Sequence, residues 1–126
     1  MDTRIKIESF DQALARPPSA DVVIAHGRFD ILTAEHCRAL SDLVTDGKPT
    51  IALVDDDDPD SPTLLDAASR AQLVAALRSV DRVIICDLAQ REQLVAAFKP
   101  AATVDIEAEV TRDVVRDVLA KHSKTD

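Results

Sequence analysis

The chain is poor in aromatic side chains. Its 126 residues include three phenylalanines, Phe10, Phe29 and Phe98, and neither tyrosine nor tryptophan. Stacking platforms for single-stranded nucleic acids are built from aromatic rings, so this binding device is excluded. Positive charge is short as well, since 15 lysines and arginines against 23 aspartates and glutamates leave a net charge of −8. Nonspecific nucleic-acid binding needs a positive surface that neutralises phosphates, and we therefore expect no nucleic-acid partner.

Cysteine and long apolar runs are also scarce. The two thiols, Cys37 and Cys86, supply neither a disulfide framework nor a zinc site. No uncharged stretch approaches the roughly 20 residues that cross a bilayer, and the first residues lack the apolar core of a signal peptide. We expect a reduced, cytoplasmic protein without a membrane partner.

The sequence alternates between short apolar runs and longer segments of helical composition. Four short runs are apolar almost throughout and rich in β-branched residues, which is typical of strands buried on both faces. These runs are Asp21–His26, Thr50–Val54, Asp81–Cys86 and Ala101–Ile106. Helical composition and spacing mark the segments that follow them: Thr33 to about Thr45, Thr63–Ser79, Leu88–Phe98 and about Glu109–Lys121.

This alternation predicts an α/β fold, a three-layer Rossmann-like sandwich with a parallel sheet of about four to five strands. The length suits one domain, which we place at residues 21–126 after an N-terminal extension at residues 1–20. Within the extension, Ser9 and Gln12 have the spacing of a capping box, which predicts a short helix from Ser9 to Arg16.

The loop after the first apolar run is the first place to look for a ligand, because open parallel sheets bind ligands beyond the carboxyl ends of their strands. Gly27 directly follows the run, and a helix is predicted to begin about six residues later, at Thr33. Unpaired amides at such a helix start favour anions, so the loop is suited to phosphate. It is not the dinucleotide fingerprint, since the further glycines are missing.

The same loop carries a more specific pattern. Gly27-x-Phe29-Asp30-Ile31-Leu32-x-x-x-His36 resembles the opening signature of the HxGH-type nucleotidyltransferases, the cytidylyltransferase-like superfamily, where it reads G-x-F-D-x-x-H-x-G-H. The likeness is greatest to the branch that acts on sugar phosphates and glycerol 3-phosphate. Three further blocks resemble the family and extend the likeness over Val22–Pro100: Ser69-Arg70, Leu77-Arg78-Ser79-Val80-Asp81-Arg82-Val83 and Lys99-Pro100.

The resemblance implies a reaction in which a sugar or alcohol phosphate attacks the α-phosphorus of CTP or ATP and releases pyrophosphate, with Mg²⁺ on the triphosphate. It implies His36 as the catalytic residue and Asp57 as a metal contact, because Asp57 aligns with a family aspartate. The implied nucleotide-binding residues are Gly27, Arg28, Phe29, Thr33, Arg70, Arg78 and Thr111. Relatives are commonly dimers, so a homodimer is implied too.

The chain departs from the family inside the motif. Thr33 replaces the first histidine, and losing one donor to a transition-state oxyanion typically lowers the rate about 10²–10³-fold. Glu35 replaces the glycine, which adds bulk and negative charge beside a polyanion. On the first turn of a helix that carries no phosphate, a glutamate instead stabilises the helix dipole.

Two further departures are acidic. The stretch Val104–Glu109 is short and acidic where relatives have a K-G-x-D-Y-like stretch, and Thr111 with Arg112 is what remains of their last phosphate-binding helix start. Asp55–Asp58, together with Asp60, puts five carboxylates after the second run. These carboxylates repel a triphosphate unless a cation is bound, and a solvated acidic loop is the alternative to a site for Mg²⁺ or Ca²⁺.

Alternatives therefore remain for the residues and for the function. His36 could contact phosphate or pack, and Arg28, Arg70 and Arg78 could reach a ligand or be solvated. The losses fall on the catalytic part of the motif, which favours a degenerate relative that retains at most nucleotide binding. The alternative is an active nucleotidyltransferase.

Overall fold

The computed structural model of the chain describes residues 2–44 and 47–123, with the side chains at positions 113, 114, 117 and 120–123 left aside. A short 3-10 helix, Thr3–Lys6, precedes the first strand. The strands are β1 (Ile7–Glu8), β2 (Val23–Gly27), β3 (Thr50–Asp55), β4 (Arg82–Cys86) and β5 (Ala102–Asp105). The helices are α1 (Phe10–Leu14), α2 (Ala34–Asp42), α3 (Ala67–Ala75), α4 (Leu88–Phe98) and α5 (Ile106–Ser123).

The five strands form one parallel sheet in the order β1-β4-β3-β2-β5. Helices cover both faces, which confirms the predicted three-layer Rossmann-like sandwich. From β2 the chain builds outward through β3 to β4 and then crosses back to place β5 on the other side of β2. Strand order therefore reverses at β2, and the crevice at its carboxyl end is where such folds bind ligands.

Two aliphatic layers fill the space between sheet and helices. The cluster on one face includes Ala25, Leu40, Val74 and Ile106, and it receives α2, α3 and α5. The cluster on the other face includes Ile24, Ile51, Leu94 and Phe98, under α1 and α4. Strands buried on both faces explain why the four apolar runs lack a polar alternation. Within residues 2–44 and 47–123, no helix combines the length and apolar composition needed to cross a bilayer.

The N-terminal extension is part of the sheet. β1 pairs in parallel with β4, with Ile7 opposite Val83, and thus supplies the fifth strand. Lys6 fastens it by donating from Nζ to the carbonyl oxygens of Leu77 and Val80, at 3.0 and 2.7 Å. The predicted capping box is confirmed, since the side chains of Ser9 and Gln12 each accept the backbone N–H of the other residue at the start of α1.

Several predicted helix ends were wrong. α3 begins at Ala67 rather than Thr63, because the carboxylate of Asp30 accepts hydrogen bonds from the amides of Leu64 and Leu65 and holds them in a loop. α5 begins at Ile106 rather than Glu109, because Asp105 caps it.

The carboxyl end of α2 also differs from the prediction. The helix ends at Asp42 with Leu43 as its C-cap, while Gly47 adopts its positive φ of 72° beyond the helix. The predicted end, Thr45, lies outside the described residues. By contrast, α4 spans Leu88–Phe98 as predicted.

Candidate functional site

The chain leaves β2 at Gly27 and reaches α2 through a loop that buries Phe29. Phe29 has a φ of 55° and a fully buried ring, which lies 5.9 Å from the ring of His36 between centroids. This turn aims the backbone N–H of Phe29 at the space beyond Gly27. Thr33 then caps α2, so the helix begins where the sequence placed its start.

Thr33 and His36 are tied to each other. The Nδ1 atom of His36 lies 3.1 Å from the backbone nitrogen of Thr33 and 2.7 Å from its Oγ1. A backbone N–H can only donate, so Nδ1 is the acceptor and the hydrogen of the neutral ring resides on Nε2. His36 is 5% exposed, which makes it a buried capping residue whose second ring nitrogen, Nε2, is left as a donor to a group other than Thr33.

A carboxylate already occupies the space beyond Gly27. The Oε1 atom of Glu107, on the first turn of α5, accepts the N–H of Phe29 at 2.9 Å, and its Oε2 lies 3.1 Å from Nε2 of His36. A methyl group added to Gly27 would stand 2.9 Å from Oε1 of Glu107. We call Gly27, the N–H of Phe29 and Nε2 of His36 the cradle. Its occupant comes from the chain itself.

Sequence reasoning missed Glu107. It looked to Glu35 for a carboxylate that would disfavour phosphate, and it noted Val104–Glu109 only as an acidic departure from the family pattern. That acidic stretch was the available signal. The partners of Glu107 lie 71 and 78 positions away, so local spacing could not identify them.

A second set of polar residues lies at the carboxyl ends of β3 and β4. Residues 56–66 form a loop, which we call the strap, held down by three side chains that follow β2 or lie on α3. The guanidinium of Arg28 donates to the carbonyl oxygens of Ser61 and Pro62, both at 3.1 Å. Asp30 holds Leu64 and Leu65, which lowers the pKa of its carboxyl group.

Arg70 is the third of these side chains and is fully buried. It donates to the carbonyl oxygens of Leu65 and Arg28, at 3.0 and 2.7 Å, and to Oδ1 of Asp57 at 3.2 Å. Asp57 in turn accepts from the backbone nitrogen of Ala67 at 2.9 Å. Arg70 therefore joins the loop after β2 to the strap from inside.

Between the strap and the start of α4 lies a cavity of about 400 Å³, which we call the arginine–aspartate cleft. Its walls carry charges of both signs, and they include Arg28, Asp55, Arg70, Asp87 and Arg91. Arg91 pairs with Asp55 at 3.4 Å. Cys86 forms part of the floor, and burial raises the pKa of its thiol to about 12.

The aspartate run does not converge on one point. Oδ1 of Asp57 accepts hydrogen bonds from Arg70 and from the backbone nitrogen of Ala67, while Asp58 accepts one from the backbone nitrogen of Asp60. In the part of the chain that the structure describes, no three His, Cys, Asp or Glu side chains are grouped as a metal site. The metal role of Asp57 stays a prediction.

Two predicted site residues lie elsewhere. Arg78 is exposed in the turn between α3 and β4, at the amino edge of the sheet, where neighbouring Asp81 accepts the amide of Thr50 at the start of β3. Thr111 is exposed on the second turn of α5, beyond the helix start. The structure brings Gly27, Phe29, Thr33 and His36 together at the cradle. It places Arg28, Arg70 and Asp57 at the cleft.

On the opposite face of β2, His26 borders a smaller groove of about 300 Å³ with Thr103 of β5 and Val95 of α4. Burial lowers the pKa of His26 below its ordinary 6.5, and the positive charge of Arg91 acts in the same direction. Asp105 and Asp55 oppose that shift. His26 is therefore separate from the cradle although it precedes Gly27 directly.

Comparison with known proteins gives a fold likeness. No family model matches the chain, and the search of curated proteins finds no significant relative. Among solved structures, it is similar to the crystal structure of the lipopolysaccharide core biosynthesis protein from Thermoplasma volcanium, with a TM-score of 0.59 and 28% sequence identity. The match covers 66% of this chain and 71% of that one.

Proposed function

We propose that this chain is a nucleotidyltransferase-like protein that does not transfer nucleotidyl groups and retains at most the binding of a nucleotide such as CTP or ATP. The observation that carries the proposal is the state of His36. This histidine is buried, and both of its ring nitrogens are engaged, one by Thr33 and the other by Glu107.

The electrostatics of the cradle support loss of catalysis. Nucleotidyl transfer depends on preorganised donors aimed at the oxygens of the transferring phosphoryl group. Both donors of the cradle face a carboxylate instead. Two like charges about 4 Å apart repel by about 4 kcal/mol at the effective dielectric constant typical near a protein surface, so a phosphate cannot share the cradle with Glu107.

One observation favours a second candidate, an active enzyme that moves a nucleotidyl group from CTP or ATP to a sugar or polyol phosphate. The similar crystal structure is that of a lipopolysaccharide core biosynthesis protein, and such polymers are assembled from sugars. The arginine–aspartate cleft also has the size of a small-molecule site. Mg²⁺ would then accompany the triphosphate, and Asp57 at the cleft is the residue proposed to meet it.

Two assays separate these candidates. Calorimetric titration with CTP and with ATP, each with and without Mg²⁺, measures binding. Pyrophosphate release across a panel of sugar and polyol phosphates measures transfer, and we expect no release above the enzyme-free blank. Turnover by the wild type that disappears in His36→Ala would overturn the proposal in favour of the active enzyme.

We further propose that the protein works in the cytoplasm and as a homodimer. Sedimentation velocity over a range of concentrations tests the second statement. A species that stays monomeric at the highest concentration would contradict it.

A further inference from the structure

The cradle is built for an anion and holds one. Its two donors are a backbone N–H, of Phe29, and a neutral imidazole N–H, of His36, and neither requires protonation to bind. Gly27 leaves the space that the bound oxygen fills. Oε1 of Glu107 accepts from the N–H of Phe29 at 2.9 Å and lies 3.3 Å from Nε2 of His36, while Oε2 lies 3.1 Å from the same Nε2. A phosphoryl group offers anionic oxygens of the same kind to these two donors.

The fold of α5 does not depend on that contact. The amides of Glu107 and Ala108 at its first turn are capped by Oδ1 of Asp105, at 3.0 and 3.3 Å. Ile106, fully buried in the core, anchors the same turn. The side chain of Glu107 is 38% exposed, so rotation of its side-chain torsions moves the carboxylate into water while the helix stays in place.

From these contacts we propose that Glu107 is an autoinhibitory plug, which occupies the cradle in place of an external phosphoryl group and must swing out before one binds. The inference rests on the proposed function and adds the regulation of that site. The external ligand is a phosphomonoester or the terminal phosphate of a nucleotide, because a dianion competes with a monoanionic carboxylate for the same two donors.

The plug reduces the apparent affinity of any external anion by the fraction of molecules in which the cradle is open. If the cradle is open less than about a tenth of the time, removal of the carboxylate raises that affinity at least about tenfold. The test uses inorganic phosphate as the probe and the full chain. Titration calorimetry compares the wild type with Glu107→Ala, Glu107→Gln and the control Glu109→Ala.

Glu109→Ala is a matched control because it removes the same charge from the same turn of α5. The carboxylate of Glu109 pairs with Arg112 and not with the cradle. We expect Glu107→Ala to bind phosphate at least about tenfold more tightly than the wild type, and Glu109→Ala to match the wild type. Glu107→Gln, which keeps the shape without the charge, should fall between them. Adding His36→Ala to Glu107→Ala should abolish the gain.

A second measurement locates the bound anion. In Glu107→Ala, phosphate should shift the amide resonance of Phe29 in a nitrogen–proton correlation spectrum, with no comparable shift in the wild type. Equal phosphate affinity in the wild type and in a folded Glu107→Ala overturns the plug, and so does an equal gain in Glu109→Ala. Should Glu107→Ala fail to fold, Glu107→Gln decides by the same criterion.

Failure of the plug and failure of the proposed function give different results. Wild-type pyrophosphate release would refute the loss of catalysis without bearing on the phosphate titrations. A folded Glu107→Ala that gains no phosphate binding refutes the plug and leaves the absence of turnover intact.

Discussion

The two halves of the sheet's carboxyl edge present opposite situations to an approaching anion. At β2, the cradle has a pair of aligned donors, and one internal carboxylate satisfies both. At β3 and β4, the arginine–aspartate cleft is open, with a volume of about 400 Å³ and several guanidinium groups in its walls. The cradle has donors aligned for an anion but no space for an external one, whereas the cleft has space for a ligand.

The cleft's cations are themselves partly committed. Arg28 donates to two strap carbonyls, Arg70 is fully enclosed, and Arg91 pairs with Asp55. The number of arginines in the cleft therefore overstates its attraction for a phosphate, because each guanidinium group already donates to an acceptor of the chain. What separates the two regions is therefore how completely each donor is satisfied.

The largest expected effect comes from breaking the link between the two regions. Arg70→Ala removes three hydrogen bonds, including the one to the carbonyl oxygen of Arg28, and empties a fully buried site, so we expect the free energy of unfolding to fall by about 3 kcal/mol. Arg78→Ala, which removes an exposed arginine from the other edge, should change it by less than about 0.5 kcal/mol. Urea denaturation monitored by circular dichroism measures both, and equal losses would contradict the role given to Arg70.

A smaller effect follows from crowding the cradle. The backbone of Gly27 is not in the left-handed region, so the cost of Gly27→Ala comes from the 2.9 Å approach of its methyl group to Glu107. Because that oxygen is the far end of a partly exposed side chain, Glu107 can turn away, and we expect a loss of about 1 kcal/mol from the hydrogen bonds that it then gives up.

The matched variant is the double substitution Gly27→Ala with Glu107→Ala. Because the second change removes the atoms that collide, the double variant should be more stable than the sum of the two single losses predicts. A double-mutant cycle from denaturation curves gives the coupling energy. Strict additivity would mean that the carboxylate does not fill the space beyond Gly27.

The smallest effect concerns the far side of β2. Burial lowers the pKa of His26 below 6.5, so the unfolded chain binds this proton more tightly than the folded one. The stability that the neutral ring contributes is complete above about pH 6.5 and is lost as the pH falls through the folded pKa. Melting temperatures between about pH 8 and pH 5 should decline less in His26→Gln than in the wild type, and parallel profiles would refute the assignment.

The sequence was sufficient wherever the determining interactions are local. Ser9 with Gln12 and Thr33 with His36 form caps within four residues, and the starts of α1 and α2 lie where the spacing indicates. The strands were recognisable because burial on both faces makes each run apolar throughout. Lys99, just before Pro100, closes α4 at the predicted place.

The sequence was insufficient wherever distant residues decide. Thr63 to Leu65 has helical composition, yet Asp30, which lies 34 and 35 positions away from Leu64 and Leu65, accepts their amides and holds them in the strap. The occupant of the cradle is the clearest case, since Glu107 reaches Phe29 and His36 only once β5 lies beside β2. Sequence spacing places residues on elements, and topology decides which elements meet.

The pairing of β1 with β4 imposes an order on the assembly of the sheet. As a ribosome extends the chain from its amino end, Ile7 and Glu8 emerge before β2 and β3, and their partners Val83 and Ile84 come only after both. β2 and β3 can therefore pair with each other before the partner of β1 has been made. The pairing of β1 with β4 is the last to form in that half of the sheet. The hydrogen bonds from Lys6 to the carbonyl oxygens of Leu77 and Val80 form at the same stage, because those two residues are also synthesised late.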